Sequence, residues 1–344
     1  MRSADFDYPL PAERIAQEPL AERDASRLLY LPPDGGIEDR AFRDLPALLR
    51  AGDLLVVNET RVRQARLHGL DREGRGIELL VLSRNENGEY QCLARPARLA
   101  PPGAVVHVAD DLQATVVGVS AMHRGGRVVT FDTPDADAAI ERAGVAPLPP
   151  YIHTELHDPA RYQTTYATGD PDSAAAPTAG LHFTPSVIGR VKDAGVGWAT
   201  LRLDVGLGTF APIRADRVED HPMHEERYTL PLETVAAIER TQATGGRVVA
   251  VGTTVVRVLE TCVDSDGKLR SGSGATSLFI HPGHRFRAVD GLLTNFHQPR
   301  SSLLVLLAAF IGDERWRAAY AHALDAGYRF LSFGDCMLCW RALP

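Results

Sequence analysis

Four short stretches of the chain could do chemistry, because each one joins an apolar run to small or hydroxyl-bearing residues. They are PTAGLHFT (177–184), DVGLGTF (204–210), VGTT (251–254) and NFHQPRSS (295–302). In an open α/β sheet, ligands bind at the carboxyl ends of strands, where helix N-termini present free backbone N–H groups. A glycine such as Gly180 would let the backbone approach a ligand closely. The four stretches therefore predict one binding site.

His182 lies just before a predicted helix that begins at Pro185, with Thr184 as its N-cap. The positive end of a helix disfavours a protonated imidazole, so we expect a neutral His182 that can accept or donate a proton at the site. A core histidine bonded to a backbone carbonyl is the alternative that the sequence leaves open.

The stretch HPMHEE (221–226) holds two histidines and two carboxylates, which are metal-ligand residue types. A proline separates the histidines, so they form no helical pair, and the HExxH pattern is missing. We therefore expect His224 and Glu226 to contact a substrate, or the stretch to be a structural loop. The lone CxxC at Cys336 and Cys339 lies in an apolar run and predicts buried thiols rather than zinc or redox chemistry.

Strands alternate with helices on both sides of a central block. DLLVVNET predicts a buried strand ending at Asn58, RVVAVG a strand leading into a helix capped by Thr253 or Thr254, and YRFLSF a terminal strand. Such alternation is typical of an α/β domain. We therefore predict a large domain of this class, formed by residues 1–60 and 151–344, with a mostly parallel sheet and flanking helices.

The central block, residues 61–150, has a different texture. Its short β-branched runs are separated by turn clusters such as NENG, APPG and HRGG. Evenly spaced short strands of this kind are typical of a small antiparallel barrel or sandwich. We predict a small antiparallel β-barrel domain inserted into the α/β domain, which is therefore discontinuous.

Arginine is enriched at the start of this block. Residues 61–100 hold eight arginines and five acidic residues, although the net charge of the 344-residue chain is −7. A basic patch on an acidic protein indicates contact with one polyanion rather than general DNA binding. We expect this contact from Arg61, Arg63, Arg66 and Arg72. A solvated sheet surface is the alternative.

The composition, with 44% hydrophobic and 24% charged residues, is that of an ordinary globular protein able to form two cores. The longest strongly apolar run, Leu303 to Ile311, is too short to span a bilayer. The first residues lack the apolar core of a signal peptide. We expect a cytoplasmic protein without a membrane segment, acting as a monomer.

Nine stretches carry a resemblance to a known family. In chain order they are FDYPLPAERIAQEP (6–19), NETRV (58–62), RYQTTYA (161–167), APTAGLHFT (176–184), VGLGTF (205–210), MHEE (223–226), AVGTTVVRVLE (250–260), TNFHQPRSSLLVLLAAFIG (294–312) and YRFLSFGDCML (328–338). In this order, over essentially the whole chain, the sequence resembles the QueA family of S-adenosylmethionine:tRNA ribosyltransferase-isomerases. The family fold, an α/β domain interrupted by a β-barrel, agrees with the domains predicted above.

The resemblance implies a reaction of queuosine biosynthesis. The ribosyl part of S-adenosylmethionine would be transferred to 7-aminomethyl-7-deazaguanine at the wobble position of tRNA, giving epoxyqueuosine and releasing adenine and methionine. S-adenosylmethionine is then a consumed co-substrate, and no metal is expected. Such a reaction needs a base that removes the acidic proton beside the sulfonium and a donor that helps adenine to leave.

Carried onto this sequence, the resemblance implies an S-adenosylmethionine site in the four loops. Its expected contacts are Thr178, Gly180, Gly208, Thr209, Phe210, Thr253, Thr254, Arg257, Asn295, His297 and Ser301. The candidates for catalysis are His182, His224 and Glu226 for proton transfer, and Asp335 as a partner of the amine or the cation. Which residue holds which role stays open. The four arginines named above would contact the tRNA.

One departure from the family pattern keeps other functions open. Asp204 stands in LDVG, where the family has LHVG, and places an anion near the expected site. With the net charge of −7, it supports a second hypothesis, a paralogue that acts on a free deazapurine or nucleoside. A third hypothesis is a non-catalytic tRNA-binding module, and a fourth is a metallohydrolase built on HPMHEE.

Overall fold

The computed structural model describes residues 1–120, 125–206 and 212–342. The chain divides into two units, and the first comprises Met1–Arg61, Pro149–Gly169 and Ala176–Pro344. The second comprises Val62–Leu148 and Asp170–Ala175. The chain therefore passes from the first unit into the second twice.

The described residues form fifteen strands and seven α-helices. The strands are β1 (Arg27–Leu31), β2 (Glu38–Ala41), β3 (Leu54–Asn58), β4 (Arg66–Leu70), β5 (Gly76–Arg84), β6 (Tyr90–Arg95), β7 (Val105–Ala109), β8 (Leu112–Val119), β9 (Gly126–Phe131), β10 (Gly197–Leu203), β11 (Glu226–Leu230), β12 (Val248–Val251), β13 (Gly272–Thr276), β14 (Gly291–Asn295) and β15 (Cys336–Trp340). The helices are α1 (Leu45–Leu48), α2 (Ala136–Ala143), α3 (Pro185–Asp193), α4 (Leu232–Ala243), α5 (Thr253–Thr261), α6 (Ser302–Ile311) and α7 (Asp313–Asp325).

The first unit is built on a nine-stranded mixed sheet with the order β13-β11-β10-β3-β12-β14-β15-β1-β2. Its four central strands, β10, β3, β12 and β14, run parallel to one another, whereas β15 pairs antiparallel with β14. Strand β3 is buried along its whole length, as a strand covered on both faces requires. The carboxyl ends of the four central strands meet at one edge of the sheet. The loops that follow them therefore lie close together.

Two helices at this edge begin with the hydroxyl caps that their sequences favour. Thr184 is the N-cap of α3, as predicted, and its Oγ1 accepts a hydrogen bond from the N–H of Val187 at 3.2 Å. Ser301 caps α6 in the same way through the N–H of Leu304, also at 3.2 Å. These caps fix the points at which the two loops end.

Helix α5 begins differently from the prediction. Its N-cap is Gly252, whose φ of 92° lies in a region that favours glycine and lets strand β12 turn into the helix at once. Thr253 and Thr254 lie inside the first turn instead of capping it. Their hydroxyls are therefore not consumed by the cap.

The predicted terminal strand YRFLSF (328–333) is wrong, because the strand lies in the next segment, β15. Leu331 has a φ of 69°, which a strand cannot accommodate, and residues 331–334 form a bend and turn. Only Phe330 makes a bridge, to Ile15, within the described part of that stretch. The apolar alternation there comes from a buried loop rather than from a strand.

The second unit contains a closed barrel with the strand order β4-β5-β6-β9-β8-β7. All its strand pairs are antiparallel, and β4 closes the barrel against β7 at the pair Leu70 and His107. Strand β4 and helix α2 have no counterpart in the sequence prediction. The predicted fold class, an α/β domain with an inserted antiparallel β-barrel, is confirmed.

No helix within the described residues is both long enough and apolar enough to cross a lipid bilayer.

Candidate active site

An open cleft lies at the carboxyl ends of β12 and β14 and encloses about 640 Å³ of empty space. Three of the four predicted loops supply most of its wall, and Val205 enters it from the fourth. The predicted residues that line the cleft are Thr178, Thr253, Thr254, Asn295, His297 and Ser301.

Thr254 carries a polar atom without a partner in the wall of this cleft. Its Oγ1 is buried from solvent and has no hydrogen-bond partner among the described residues. Leaving a buried hydroxyl unsatisfied costs about 1–3 kcal/mol. The free N–H groups of the first turn of α5 lie at the same place. Both features fit a ligand that brings hydroxyl or carboxylate oxygens into the cleft.

Asn295 connects the cleft to His182. Its Oδ1 accepts a hydrogen bond from Thr178 Oγ1 at 3.1 Å, and its Nδ2 donates to the carbonyl of Leu331 at 3.2 Å. These partners fix which end of the amide is the donor. Nδ2 also lies 3.2 Å from His182 Nε2, which must therefore accept. The His182 proton then belongs on Nδ1, which donates to Ser26 Oγ at 2.8 Å.

His182 is neutral for a different reason than predicted. It lies in a 3-10 turn, Thr178–His182, and burial lowers its pKa to about 3, with further lowering by the positive charges of Arg23 and Arg329. Desolvation, rather than a helix dipole, is the main cause. Both ring nitrogens form hydrogen bonds to side chains. The surroundings of His182 are therefore those of the core histidine that the sequence left open, except that its partners are side chains and not a backbone carbonyl. His182 reaches the cleft through Asn295.

His297 is a second buried imidazole, in the wall of the cleft itself. Burial lowers its pKa to about 3, and its Nε2 is 3.0 Å from Thr294 Oγ1. Its backbone N–H donates to the hydroxyl of Tyr320 at 2.8 Å. His297 is therefore a fixed, neutral group at physiological pH.

Gly180 is needed for packing, and its contact with a ligand stays a prediction. A Cβ on this residue would lie 2.1 Å from the hydroxyl oxygen of Tyr166 and 2.8 Å from Cγ2 of Thr164. Among the described residues, those lining the cleft include Thr178 and Ala179 of this turn but not Gly180. The glycine lets the turn pack tightly against Tyr166.

A second cavity is lined by the predicted residues His224, Glu226 and Arg257 and shares Leu303 with the cleft. Glu226 and Arg257 form a buried ion pair, and Glu226 Oε1 accepts the N–H of Gly206 at 2.7 Å. Removing one partner of a buried pair costs about 3–5 kcal/mol. Arg257 therefore anchors Glu226, and it lines this second cavity instead of the cleft where a ligand contact was predicted.

Asp335 makes structural contacts, and its role as a partner of the amine or the cation stays a prediction. Its two carboxylate oxygens accept the backbone N–H groups of Arg27 and Arg329, both at 2.8 Å. Burial raises the pKa of this carboxyl group. Within the described part of the chain, Asp335 is absent from the walls of both cavities. It ties the start of β1 to the loop before β15.

The described residues contain no group of three or more His, Cys, Asp or Glu side chains that could hold a metal ion. Cys336 and Cys339 are buried free thiols on β15. Successive strand residues point to opposite faces, so two cysteines three positions apart cannot share a ligand. Their sulfurs contact different carbonyls, those of Arg27 at 3.7 Å and Leu292 at 3.5 Å.

The residues of the cleft that the sequence did not single out include Tyr151, Ser332 and Gln298. Tyr151 and Ser332 bond to each other, with 2.7 Å between Tyr151 Oη and Ser332 Oγ, and Gln298 lies between His297 and Ser301. Tyr151 is the first residue after the predicted barrel domain, and Ser332 belongs to the segment YRFLSF, which was predicted to be a strand. No local sequence pattern marks Tyr151 or Ser332 as a cleft residue. Gln298 lies inside one of the four loops that the sequence predicted.

Comparison with known proteins identifies the family. Residues 3–339 match the sequence profile described as "Queuosine biosynthesis protein". The chain is 50% identical to the S-adenosylmethionine:tRNA ribosyltransferase-isomerase of Moorella thermoacetica, over 98% of this chain and 99% of the relative. The protein of the same name from Thiobacillus denitrificans is 50% identical over 99% of this chain and 98% of its own. The chain belongs to the queuosine biosynthesis protein family.

A solved structure of the family has the same fold. It is the crystal structure of S-adenosylmethionine tRNA ribosyltransferase from Thermotoga maritima, 39% identical over 97% of this chain and 99% of that chain, with a TM-score of 0.56. The predicted QueA family is confirmed, and with it the prediction of a transferase enzyme.

Asp204, the departure from the family pattern, is held by two neighbours in the first unit. Its Oδ1 accepts from Thr60 Oγ1 at 2.9 Å and from Arg202 Nε at 3.2 Å. The charge introduced at this position therefore has a positively charged partner. Gly208, Thr209 and Phe210, which follow it and were predicted to contact S-adenosylmethionine, lie outside the described residues.

The predicted RNA-contacting arginines of this family member fall into two kinds. Arg63 lies within 3.3 Å of Asp137 and 3.5 Å of Asp172, and Arg66 donates to the carbonyl of Leu148 at 3.2 Å. These two arginines are half-buried parts of the barrel unit. The other two, Arg61 and Arg72, are exposed. Contact of any of the four with tRNA stays a prediction.

Proposed function

We propose that this chain uses S-adenosylmethionine as a ribosyl donor and transfers and isomerises the ribosyl part onto 7-aminomethyl-7-deazaguanine at the wobble position of tRNA. The product is epoxyqueuosine, and adenine and methionine leave. S-adenosylmethionine is thus a consumed substrate and not a methyl donor. Membership in the queuosine biosynthesis protein family supports this reaction.

The cleft is the observation that carries the proposal. It combines an unsatisfied hydroxyl, Thr254 Oγ1, with the N-termini of α5 and α6 and the side chains of Asn295 and Ser301. Hydroxyl oxygens and a carboxylate are acceptors for free N–H groups at helix N-termini. S-adenosylmethionine carries both, in its ribose and its methionine part. These residues would bind and orient it.

In this proposal the buried imidazole of His182 positions another group and does not transfer a proton. The buried imidazole of His297 supplies a neutral group to the wall of the cleft. A protonated imidazole beside a sulfonium cation would be repelled, whereas burial keeps both rings neutral. His182 holds the amide of Asn295 in one orientation. His224, exposed in the adjoining cavity, and the neighbouring Glu226 are the proposed groups for proton transfer.

Adenine release tests the proposal directly. The protein is incubated with S-adenosylmethionine and one of three acceptors: tRNA carrying 7-aminomethyl-7-deazaguanine, the same tRNA without it, or the free base. We expect adenine only with the modified tRNA. Release with the free base would instead show the paralogue acting on a small molecule. No release with any acceptor, but retained tRNA affinity, would show a non-catalytic binding module.

A chelation experiment tests the remaining hypothesis, a metallohydrolase. The full reaction is repeated after dialysis against EDTA, and we expect the same rate. A rate that falls and returns with added zinc would support a metal-dependent enzyme built on the HPMHEE stretch and would contradict the proposal.

A further inference from the structure

A third cavity lies on the far side of His182 from Asn295, with about 310 Å³ of empty space. We call it the arginine pocket. Arg23, Ser26, Arg161, His182 and Ser332 are among the residues that line it. It shares Ser332 with the cleft, and the Ser26–His182–Asn295 chain of hydrogen bonds connects the two. Arg161 is the first residue of the RYQTTYA motif, to which the proposed reaction assigns no role.

Two guanidinium groups line this pocket, and a third lies near it, without an ion-paired carboxylate. Arg23 and Arg161 line it, and Arg329 is close enough to His182 to lower the pKa of that imidazole. Within the described residues, none of the three has a carboxylate oxygen within 4.0 Å, although the charges of Asp158 and Asp335 act on Arg23 and Arg329 from farther away. Their hydrogen bonds go to backbone carbonyl oxygens, those of Leu181, Ala160, Ala21, Leu20 and Glu18. The positive charge of the pocket is therefore not neutralised by an ion pair.

The charges also act on one another. Burial lowers the pKa of Arg23, and the positive charge of Arg161 lowers it further, although Asp158 acts in the opposite direction. Grouping partly buried like charges is unfavourable unless an anion compensates them. An oxyanion in the pocket would supply that compensation.

Two donors in this cluster are unused. Arg161 Nε and Arg329 Nη1 are buried from solvent and have no hydrogen-bond partner among the described residues. The carbonyl contacts on the other guanidinium nitrogens hold both side chains in one orientation. A rigid guanidinium with a free N–H is the arrangement that recognises phosphate and carboxylate oxygens.

We propose that the arginine pocket binds an oxyanion of the substrate, and that this oxyanion is a backbone phosphate of the tRNA. The assignment rests on the proposed function, because it takes tRNA as the acceptor. A phosphodiester brings two free oxygens and one negative charge, which match the unused N–H groups and the unpaired guanidinium charges. The connection through His182 and Asn295 would place that phosphate next to the cleft. The methionine carboxylate of S-adenosylmethionine has the same chemistry and is the other source to be tested.

The test compares Arg161→Gln and Arg329→Gln with the unchanged protein. The affinity for unmodified tRNA is measured at several salt concentrations, and the affinity for S-adenosylmethionine by calorimetry. We expect each variant to bind tRNA about tenfold more weakly, with a salt dependence reduced by about 0.7–0.9 for the lost phosphate contact. The affinity for S-adenosylmethionine should stay within about twofold.

Two further variants control for charge and folding. Arg240→Gln removes one positive charge from the exposed surface of α4 and should change neither affinity. Arg161→Lys keeps the positive charge but loses the forked guanidinium group. It should therefore weaken tRNA binding by about threefold and keep the salt dependence. If Arg161→Gln fails to fold, Arg161→Lys and Arg329→Gln still decide the question.

Each outcome has one meaning. Weaker tRNA binding with unchanged S-adenosylmethionine binding supports the phosphate. Weaker S-adenosylmethionine binding with unchanged tRNA binding overturns it in favour of the carboxylate, and no change in either overturns the pocket altogether. Because unmodified tRNA is the probe, a failure of the adenine-release assay would contradict the proposed function and leave this result standing.

Discussion

The amide nitrogen of Asn295 donates to Nε2 of His182 across 3.2 Å, and this contact connects the cleft to the arginine pocket. The amide faces Thr178 on one side and the imidazole on the other. A neutral imidazole is required, because a protonated Nε2 would be a donor facing a donor. The burial that keeps His182 neutral therefore preserves this hydrogen bond to Asn295.

The first prediction concerns the pH dependence of stability. Burial lowers the pKa of His182 and of His297 to about 3, whereas an unfolded histidine titrates near 6.5. The unfolded state then binds more protons than the folded state between these values. The free energy of unfolding should therefore fall as the pH drops below about 6.5, by about 2 kcal/mol per histidine between pH 7 and pH 5.

The measurement is urea unfolding of the first unit at the two pH values. Tryptophan fluorescence reports this unit alone, because Trp198, Trp316 and Trp340 all lie in it. His182→Gln should reduce the loss between pH 7 and pH 5 by about 2 kcal/mol. His68→Gln, which replaces an exposed histidine of the barrel unit, should leave that loss unchanged. Equal losses in the unchanged protein and in His182→Gln would show that His182 titrates normally.

The second prediction uses two threonines of helix α5. Thr254→Val removes the unsatisfied Oγ1 in the cleft wall, so the free protein should be as stable as before or slightly more stable. S-adenosylmethionine should bind about fivefold or more weakly, from the loss of about 1 kcal/mol of hydrogen bonding. Thr261→Val is the matched control, because Thr261 Oγ1 is 2.7 Å from Thr276 Oγ1 away from the cleft. Thr261→Val should lose stability and keep its affinity for S-adenosylmethionine. The reverse pattern would show that the ligand binds elsewhere.

The sequence predicted the loops that line the cleft better than the contacts of the side chains inside it. Loops marked by glycine, threonine and serine after apolar strands are local signals, and a strand that is apolar along its whole length indicates a central position in a parallel sheet. Asn58 at the end of β3 and Thr184 at the start of α3 were placed correctly on this basis. These features depend on residues close to one another in the chain.

Other features depend on residues far apart in the chain. Gly180 packs against Tyr166, and Asp335 binds the backbone of Arg27, which begins the strand β1. No local pattern shows such partners. The apolar alternation of YRFLSF also misled, because Leu331 takes a left-handed conformation in a buried loop. Tertiary contacts, rather than local preference, decided each of these cases.

The third prediction separates two arginines of the barrel unit. Arg63 donates to the carbonyl of Pro171 at 2.7 Å and pairs with Asp137 and Asp172, whereas Arg72 is exposed. Arg63→Gln should lower the melting temperature of the barrel unit, because it leaves carboxylates and a carbonyl without their partner. Arg72→Gln should leave the melting temperature unchanged and weaken tRNA binding, with a lower salt dependence. Calorimetric melting and tRNA titrations check both, and unchanged tRNA binding by Arg72→Gln would make this arginine a solvated surface residue.

The last prediction concerns the packing of Gly180. In Gly180→Ala the new methyl group would lie 2.1 Å from Tyr166 Oη, so the free energy of unfolding should fall by about 1–3 kcal/mol. Tyr166→Phe removes that oxygen, which is buried and has no hydrogen-bond partner among the described residues, and should be nearly neutral by itself. Combined with Gly180→Ala it should restore part of the stability, but not all of it, because Thr164 Cγ2 still lies 2.8 Å from the methyl position. Tryptophan fluorescence in urea measures all three variants. A Gly180→Ala protein with unchanged stability and weakened S-adenosylmethionine binding would show instead that this glycine makes room for the ligand.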